Sequence, residues 1–299
     1  MKETYIECII NTGKIQNFIL KDELENVNIF NMRKFHNYIK NELIINSCKS
    51  IKAEKLLDIA CGRGGDIIKW IKSDLKFVFA FDVHKESIYC NDGDCAISRF
   101  NDIKKNYKSK NKKPFTRFYN LNILDKDILS KIKYNENKIN IPNFNGKYDV
   151  VSCQFAFHYF SKNDDDLNHL FNVISNKLKV NGLFIGTTTD GDKIKKILEI
   201  GDVNIPLLTL IKKDNNSYLF DINSDDNKRK HYFELQGVSL EYYVIKEKLI
   251  NIAEKYGLKM IEIKSFYDWY LNSDKSIKLS SYEMIISFLN FSFIFQKIK

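Results

Sequence analysis

Arginine is scarce in this chain: of 47 Lys+Arg residues only Arg33, Arg63, Arg99, Arg117 and Arg229 carry a guanidinium. With Ile, Asn and Lys recurring throughout, that usage is expected of an AT-rich genome, so part of the +9 formal charge reflects codon bias. A basic balance still favours polyanionic partners along any cleft, without naming one. Three Pro and twelve Gly are too few for a collagen-like or low-complexity chain, and 13% aromatic residues argue against wholesale disorder. The six cysteines (Cys8, Cys48, Cys61, Cys90, Cys95, Cys153) form no CxxC pair, and no His stands at zinc-ligand spacing. They read as buried free thiols in a reducing compartment, with no metal site. Long apolar runs are lacking too. The start, MKETYIECII, has no signal-peptide core, and the most apolar stretch, 284–295, is broken by Ser287, Asn290 and Ser292 and is too short to span a bilayer. No solenoid-length repeat appears. The expectation is a packed, soluble, intracellular protein with no membrane partner: 299 residues make one large domain or two small ones.

What is present is an alternation of short apolar runs with helical ones. Residues 55–60 (KLLDIA), 77–82 (FVFAFD), 148–155 (YDVVSCQF) and 182–189 (GLFIGTTT) are near-continuous apolar runs, as strands covered on both faces require. Between the last two, Leu167, Leu170, Phe171, Ile174 and Leu178 repeat at helical spacing. Asp164, Asp165 and Asp166 stand at that helix's start and Lys177 near its end, in accord with the helix dipole. Strands alternating with helices imply an α/β, doubly wound, largely parallel sheet. Residues 104–113 (KKNYKSKNKK) read as a solvated lysine-rich loop or helix end, 214–230 as a polar loop or insertion, and 241–256 as helical. The terminal FSFIFQK alternates and predicts an antiparallel strand.

The strongest local signal is residues 56–70, LLDIACGRGGDIIKW: a buried strand, a glycine loop and a helix. Gly62, Gly64 and Gly65 remove side chains where open α/β sheets bind ligands, at the carboxyl end of the first strand. Asp82, at the end of the next strand, is placed to accept hydrogen bonds from two ribose hydroxyls. The loop is not GxGxxG and lacks the GKS or GKT of a P-loop, so an adenosyl cofactor without a pyrophosphate, S-adenosylmethionine, fits best.

DIACGRGGD (58–66) resembles the glycine motif of class I methyltransferases, in the form found in mRNA cap guanine-N7 methyltransferases. RKFHNYIK (33–40), SCQFAFHYF (152–160), LEYYV (240–244) and IGTTTDGDK (185–193) are similar to further blocks of that family, the last also to poxvirus capping enzymes. The resemblance runs from about residue 31 to the C-terminus. It implies a seven-stranded Rossmann-like sheet with an antiparallel C-terminal strand, a single methyltransferase domain over 29–299 after an N-terminal extension of 1–28, and a polar insertion near 214–230. It implies cofactor contacts by Lys40, Ala60, Gly62, Gly64, Asp82, Asn122, Gln154 and Tyr159, and cap contacts by His36, Asn37, Arg63, Phe155, His158 and Glu241. Ala60 replaces the family's usual first glycine, and Asn122 an acidic residue near the adenine. Asn290 stands where the family has a cap-contacting tyrosine, with Phe288 and Phe291 close by.

The chemistry of these residues agrees with that reading. On a helix, Arg33, His36, Asn37 and Lys40 share one face while Phe35, Ile39 and Leu43 anchor another. A glutamate is acceptor-only when ionised, and guanine offers N1–H and the N2 amine side by side, so Glu241 can read that edge twice. Arg63 offers a donor fork to cap phosphate. The implied reaction moves a methyl group from S-adenosylmethionine to N7 of the terminal guanine of 5′-capped mRNA. N7 carries a lone pair and no proton, so no catalytic acid or base is nominated. Other capping enzymes or a stimulatory subunit are expected partners; no KxDG lysine motif of a guanylyltransferase occurs. The compartment would be the nucleus for a cellular protein and host cytoplasm for a viral or plasmid one. Two rivals remain: a class I methyltransferase with another acceptor, although SCQF stands where amide- and base-methylating relatives carry [DNS]PP[YFW], and an inactive RNA-binding or stimulatory subunit.

Overall fold

In the computed structural model, which describes residues 2–16, 29–90, 93–139, 144–222, 238–273 and 276–299, the apolar runs form the middle of one sheet. After α1 (Lys2–Asn11) and α2 (Phe30–Ser50), the chain alternates through β1 (Lys55–Asp58), α3 (Ile67–Lys72), β2 (Phe77–Asp82), α4 (Lys85–Ile88), α5 (Ala96–Asn106), β3 (Phe115–Asn120) and α6 (Ile128–Asn137). It continues through β4 (Tyr148–Gln154), a 3-10 turn (Phe157–Phe160), α7 (Asp164–Lys177) and β5 (Leu178–Thr189). A second unit follows: α8 (Gly191–Ile200), β6 (Val203–Ile205), β7 (Leu208–Lys212), β8 (Ser217–Ile222) and β9 (Ser239–Tyr242). The chain closes with α9 (Lys246–Lys255), β10 (Leu258–Ser265), α10 (Phe266–Leu271), α11 (Ser281–Phe288) and β11 (Asn290–Lys297).

The large sheet has the order β10-β11-β5-β4-β1-β2-β3, all neighbours parallel except β11, which runs antiparallel to both β5 and β10. The expected doubly wound, seven-stranded sheet with an antiparallel final strand is therefore what forms. Successive side chains on a strand point to opposite faces, so both sets of residues must be covered. Leu56, Val78, Ala80 and Val150 pack with Ile44, Trp70 and Ile71 on one side; Leu57, Phe79, Phe81 and Val151 pack with Phe157, Phe171 and Phe293 on the other. The chain leaves β1 toward β2 and β3, then returns to the other side of β1 as β4. That reversal opens a crevice at the carboxyl ends of the strands.

Beside the large sheet stands an antiparallel sheet of order β6-β7-β8-β9, which the sequence pattern did not announce. It shares a hydrophobic cluster with α1, α2 and α11: Ile6, Ile10, Met32, Phe35, Leu208, Leu210, Tyr218 and Phe288 are all buried there. Helix α1, within the expected 1–28 extension, is thus packed into the body of the protein. Glu283 ties the cluster together: it forms a capping box with Ser280 at the start of α11, and its Oε1 accepts the Met32 amide of α2 at 2.8 Å.

Three expectations are corrected. The stretch expected as a polar loop from 214 contains β8, where Ser217, Tyr218, Phe220 and Ile222 are buried; 223–230 lies outside the described residues. Glu241 does not begin a helix: it belongs to β9, paired with Tyr218, and the helix starts at Lys246. The thiols are not all free and buried, since Cys90 and Cys95 form a disulfide and Cys8 is exposed, whereas Cys48, Cys61 and Cys153 are buried and free. Among the described residues, no helix is long and apolar enough to cross a membrane and no cluster of three His, Cys, Asp or Glu could hold a metal.

Candidate functional site

A cavity of about 600 Å³ lies across the carboxyl ends of β1, β2 and β4, walled by α2 on one side and by β8 and β9 on another. That volume is within the usual range for small-molecule sites. Of the residues expected from sequence, Lys40, Ala60, Gly62, Asp82, Asn122, Gln154 and Tyr159 line it, as do His36, Asn37, Arg63, Phe155, His158 and Glu241. Gly64 does not. Its φ is +74°, and a Cβ there would meet Ile67 Cδ1 at 2.6 Å and Ala96 Cα at 3.3 Å. The turn and the packing onto α5 by themselves require the glycine.

The loop after β1 is fixed by Asp82: its Oδ2 accepts the Gly62 amide and its Oδ1 the His84 amide, both at 2.9 Å. Each carboxylate oxygen keeps a second lone pair for a ligand hydroxyl. Beneath the loop, Asp66 Oδ1 lies 2.9 Å from Lys40 Nζ and 2.8 Å from Lys69 Nζ. Burial works to raise the Asp66 carboxyl, but the two ammoniums outweigh it and hold it well below the usual carboxylate range. Lys40 and Lys69 share this one carboxylate, so the Lys40 ammonium that lines the cavity is only partly neutralised by it. Asp58, behind the loop, is pushed well above its ordinary range by burial and by the neighbouring Asp66, and it does not line the cavity.

At the end of β4, Gln154 is held on both sides of its amide: Nε2 donates to Ser152 Oγ and Oε1 accepts from Thr187 Oγ1, each at 3.1 Å. The next residue, Phe155, has φ +54°, a left-handed backbone that a bulky residue adopts only under constraint. The constraint is visible: its amide donates to Thr187 O at 2.9 Å, and its ring stacks on His36 with centroids 5.2 Å apart and planes 19° apart. Phe157 then buries itself between Phe171, Phe184 and Phe293 and anchors the 3-10 turn, which leaves His158 and Tyr159 toward the cavity. Tyr159 shares a 3.0 Å hydrogen bond with Ser239 Oγ of β9.

His158 is 4% exposed, and among the described residues neither ring nitrogen has a hydrogen-bond partner. Its Nε2 stands 3.6 Å from Glu241 Oε1, beyond hydrogen-bonding distance, and burial lowers the imidazole to about 3, so it is neutral at physiological pH. Burial likewise pushes the Glu241 carboxyl up to about 8. His36, also held down to about 3 by burial and by Lys40, reaches Ser287 Oγ through Nε2 at 3.0 Å. Gly191 explains how β9 is brought here: a Cβ at this position would meet the Val244 amide nitrogen at 2.3 Å, so only glycine lets α8 abut the end of the 240–244 block.

Three of the chain's five arginines, Arg33, Arg63 and Arg99, line this cavity. Asp94 draws two of them together, meeting Arg63 Nη1 at 3.3 Å and Arg99 Nη2 at 3.0 Å. Arg99, Thr189, Phe220 and Ser239 were not singled out from sequence. Arginine scarcity alone was a usable signal for Arg99, because a chain that defaults to lysine keeps a guanidinium where a planar fork is needed. Asn290 lines the cavity, but its Nδ2 already donates to Ile286 O at 2.8 Å and Ser287 O at 3.2 Å.

Comparison with known proteins agrees with this geometry. The chain is similar to a probable mRNA-capping enzyme of Acanthamoeba polyphaga mimivirus, 28% identical over 81% of this chain and 22% of the relative. It is 29% identical to the mRNA cap guanine-N(7) methyltransferase of Drosophila melanogaster, over 81% of this chain and 56% of that one. The corresponding Schizosaccharomyces pombe enzyme is 26% identical over 83% and 65%. The chain thus spans less than two thirds of these relatives. Among solved structures, a putative S-adenosylmethionine dependent methyltransferase from Listeria monocytogenes has the same fold, with a TM-score of 0.50 at 13% identity over 90% of this chain and 99% of that one. Residues 12–288 match the mRNA (guanine-N(7))-methyltransferase domain, and the chain belongs to that family.

Proposed function

We propose that this chain transfers a methyl group from S-adenosylmethionine to N7 of the terminal guanine of a 5′ RNA cap, converting GpppN to m7GpppN. The observation that carries the reading is the meeting, in one cavity, of the Gly62 and Asp82 end of the sheet with two buried polar side chains from elsewhere, His158 and Glu241. A buried imidazole lacking hydrogen-bond partners among the described residues, set beside a buried carboxyl, is costly unless a ligand supplies them.

S-adenosylmethionine is the cofactor of this family, and the residues present fit it. In this reading Asp82 takes the ribose hydroxyls, Asn122 the adenine, and the surplus positive charge at Lys40 the methionine carboxylate, with Gln154 and Tyr159 flanking. When bound, the cofactor supplies an electrophilic methyl on a sulfonium. On the acceptor side, Glu241 takes the N1–H and N2 amine of guanine, and neutral His158 offers one ring nitrogen as a donor and one as an acceptor. The Phe155–His36 stack gives the base a flat apolar wall. Arg63 and Arg99, held side by side by Asp94, face the phosphates.

The chain's role in the chemistry is alignment. N7 needs no deprotonation, so the rate gain rests on holding the acceptor in line, a contribution of roughly 7 kcal/mol or more in favourable cases. Incubation with labelled S-adenosylmethionine and GpppN-capped RNA, followed by digestion, tests the reading. Label is expected in 7-methylguanosine, and label in any other nucleoside overturns it.

A further inference from the structure

Glu241 is not held by its own strand. Tyr218 on β8 and Glu241 on β9 are directly paired, so their side chains leave the same face of the small sheet. The Tyr218 hydroxyl lies 2.8 Å from Glu241 Oε2 and 2.9 Å from Thr189 Oγ1, at the carboxyl end of β5 in the other sheet. A phenol has one proton and an ionised carboxylate can only accept, so once Glu241 is ionised that proton goes to it, and the Thr189 hydroxyl, which can also donate, completes the other side. Tyr218 is fully buried, with its ring 5.0 Å from that of Tyr243, and it does not line the cavity. Engagement of Oε2 leaves Oε1 on the His158 side, 3.6 Å from Nε2.

We propose that Tyr218 is the positioning residue of the base-recognition site, bridging the two sheets through Thr189 so that Glu241 is turned toward the acceptor and kept available as a hydrogen-bond acceptor. This inference rests on the cap-guanine reading and adds to it the residue that makes the glutamate selective. The energetic logic is that burial pushes the Glu241 carboxyl up to about 8, and the Tyr218 hydrogen bond opposes that rise. Among the described residues, the titratable groups facing Glu241 are Tyr218 from β8 and His158 from the 3-10 turn; Thr189 from β5 is uncharged, and His158 is neutral above about 3. Removing the hydroxyl therefore moves the Glu241 midpoint upward, away from neutrality.

The test is Tyr218→Phe, which keeps the ring, alongside Thr189→Val, which keeps the shape of the threonine without its hydroxyl. Initial rates with GpppA-capped and ApppA-capped RNA are measured from pH 6.5 to 9.5, with S-adenosylmethionine affinity measured separately. Tyr218→Phe is expected to raise KM for GpppA-capped RNA roughly 10-fold to 100-fold at pH 7, the range for loss of a hydrogen bond to a charged group. The alkaline end should recover part of the loss, and cofactor affinity should not change. Thr189→Val should shift KM the same way but less. An unmoved pH profile, or equal losses of cofactor and cap binding, overturns the positioning role. A wild type that fails to prefer GpppA over ApppA overturns the cap reading itself, and this inference with it.

Discussion

The two walls of the cavity differ in how far the protein has satisfied its own polar groups. On the donor wall, Asp82 holds two backbone amides, Gln154 is pinned by Ser152 and Thr187, and Lys40 is paired with Asp66. On the acceptor wall, among the described residues, both nitrogens of His158 lack a hydrogen-bond partner and Glu241 is hydrogen-bonded by Tyr218 on one oxygen. A wall built for one invariant cofactor is stable as a finished mould. A wall that must choose among bases gains discrimination from atoms left buried and unsatisfied, because the wrong ligand leaves them so.

That contrast can be broken experimentally. The largest effect is expected for Asp82→Ala, which removes both the ribose acceptor and the clamp on the Gly62 loop. Affinity for S-adenosylmethionine should fall by about 100-fold or more, with cap-analogue affinity changed far less. Equal losses in the two titrations would show that the walls are not separable.

Next comes Glu241→Gln, which should abolish the preference for a guanine cap over an inosine cap, because the second donor pairs with a carboxylate oxygen that the amide replaces. The same substitution should stabilise the protein. The folded-state value near 8 lies above the ordinary 4.5, so the unfolded chain loses this proton first and stability is lost as pH rises from 4.5 to 8. Glu241→Gln should therefore melt with the wild type at pH 4 and exceed it by about 3 kcal/mol at pH 7. A gap of the same size at both pH values would mean that Glu241 does not titrate in this range.

The smallest effect is expected at Asn290→Ala. Its amide is already engaged with the last turn of α11, so the cap KM should move less than about threefold. A larger rise would mean that Asn290 replaces the family's tyrosine in more than position.

The sheet was legible because β1, β2, β4 and β5 are covered on both faces and therefore nearly all apolar, and the glycine loop because a turn at the end of a buried strand tolerates few residues. The small sheet was not. Its strands are three to six residues long, too short for alternations such as Val203, Asn204, Ile205 or Leu208, Thr209, Leu210 to stand out from loop sequence. Glu241 was found by the pattern LEYYV, yet its neighbours were invisible: Tyr218 reaches it only through a strand register, and Thr189 only through the packing of two sheets. Gly64 shows a related ambiguity. A glycine needed for φ +74° and one needed for ligand approach look alike in sequence, and only the position of Ile67 tells them apart.

Helix α2 lines the cavity with Arg33, His36, Asn37 and Lys40, on successive turns of one face. Seven residues of helix from Arg33 to Lys40 span about 10.5 Å, so a single rigid rod sets how far apart these side chains enter the cavity. An insertion of one residue between Asn37 and Lys40 would turn one group of side chains about 100° away from the other. In this protein the spacing of the charged and polar groups along that wall is written into the pitch of a helix.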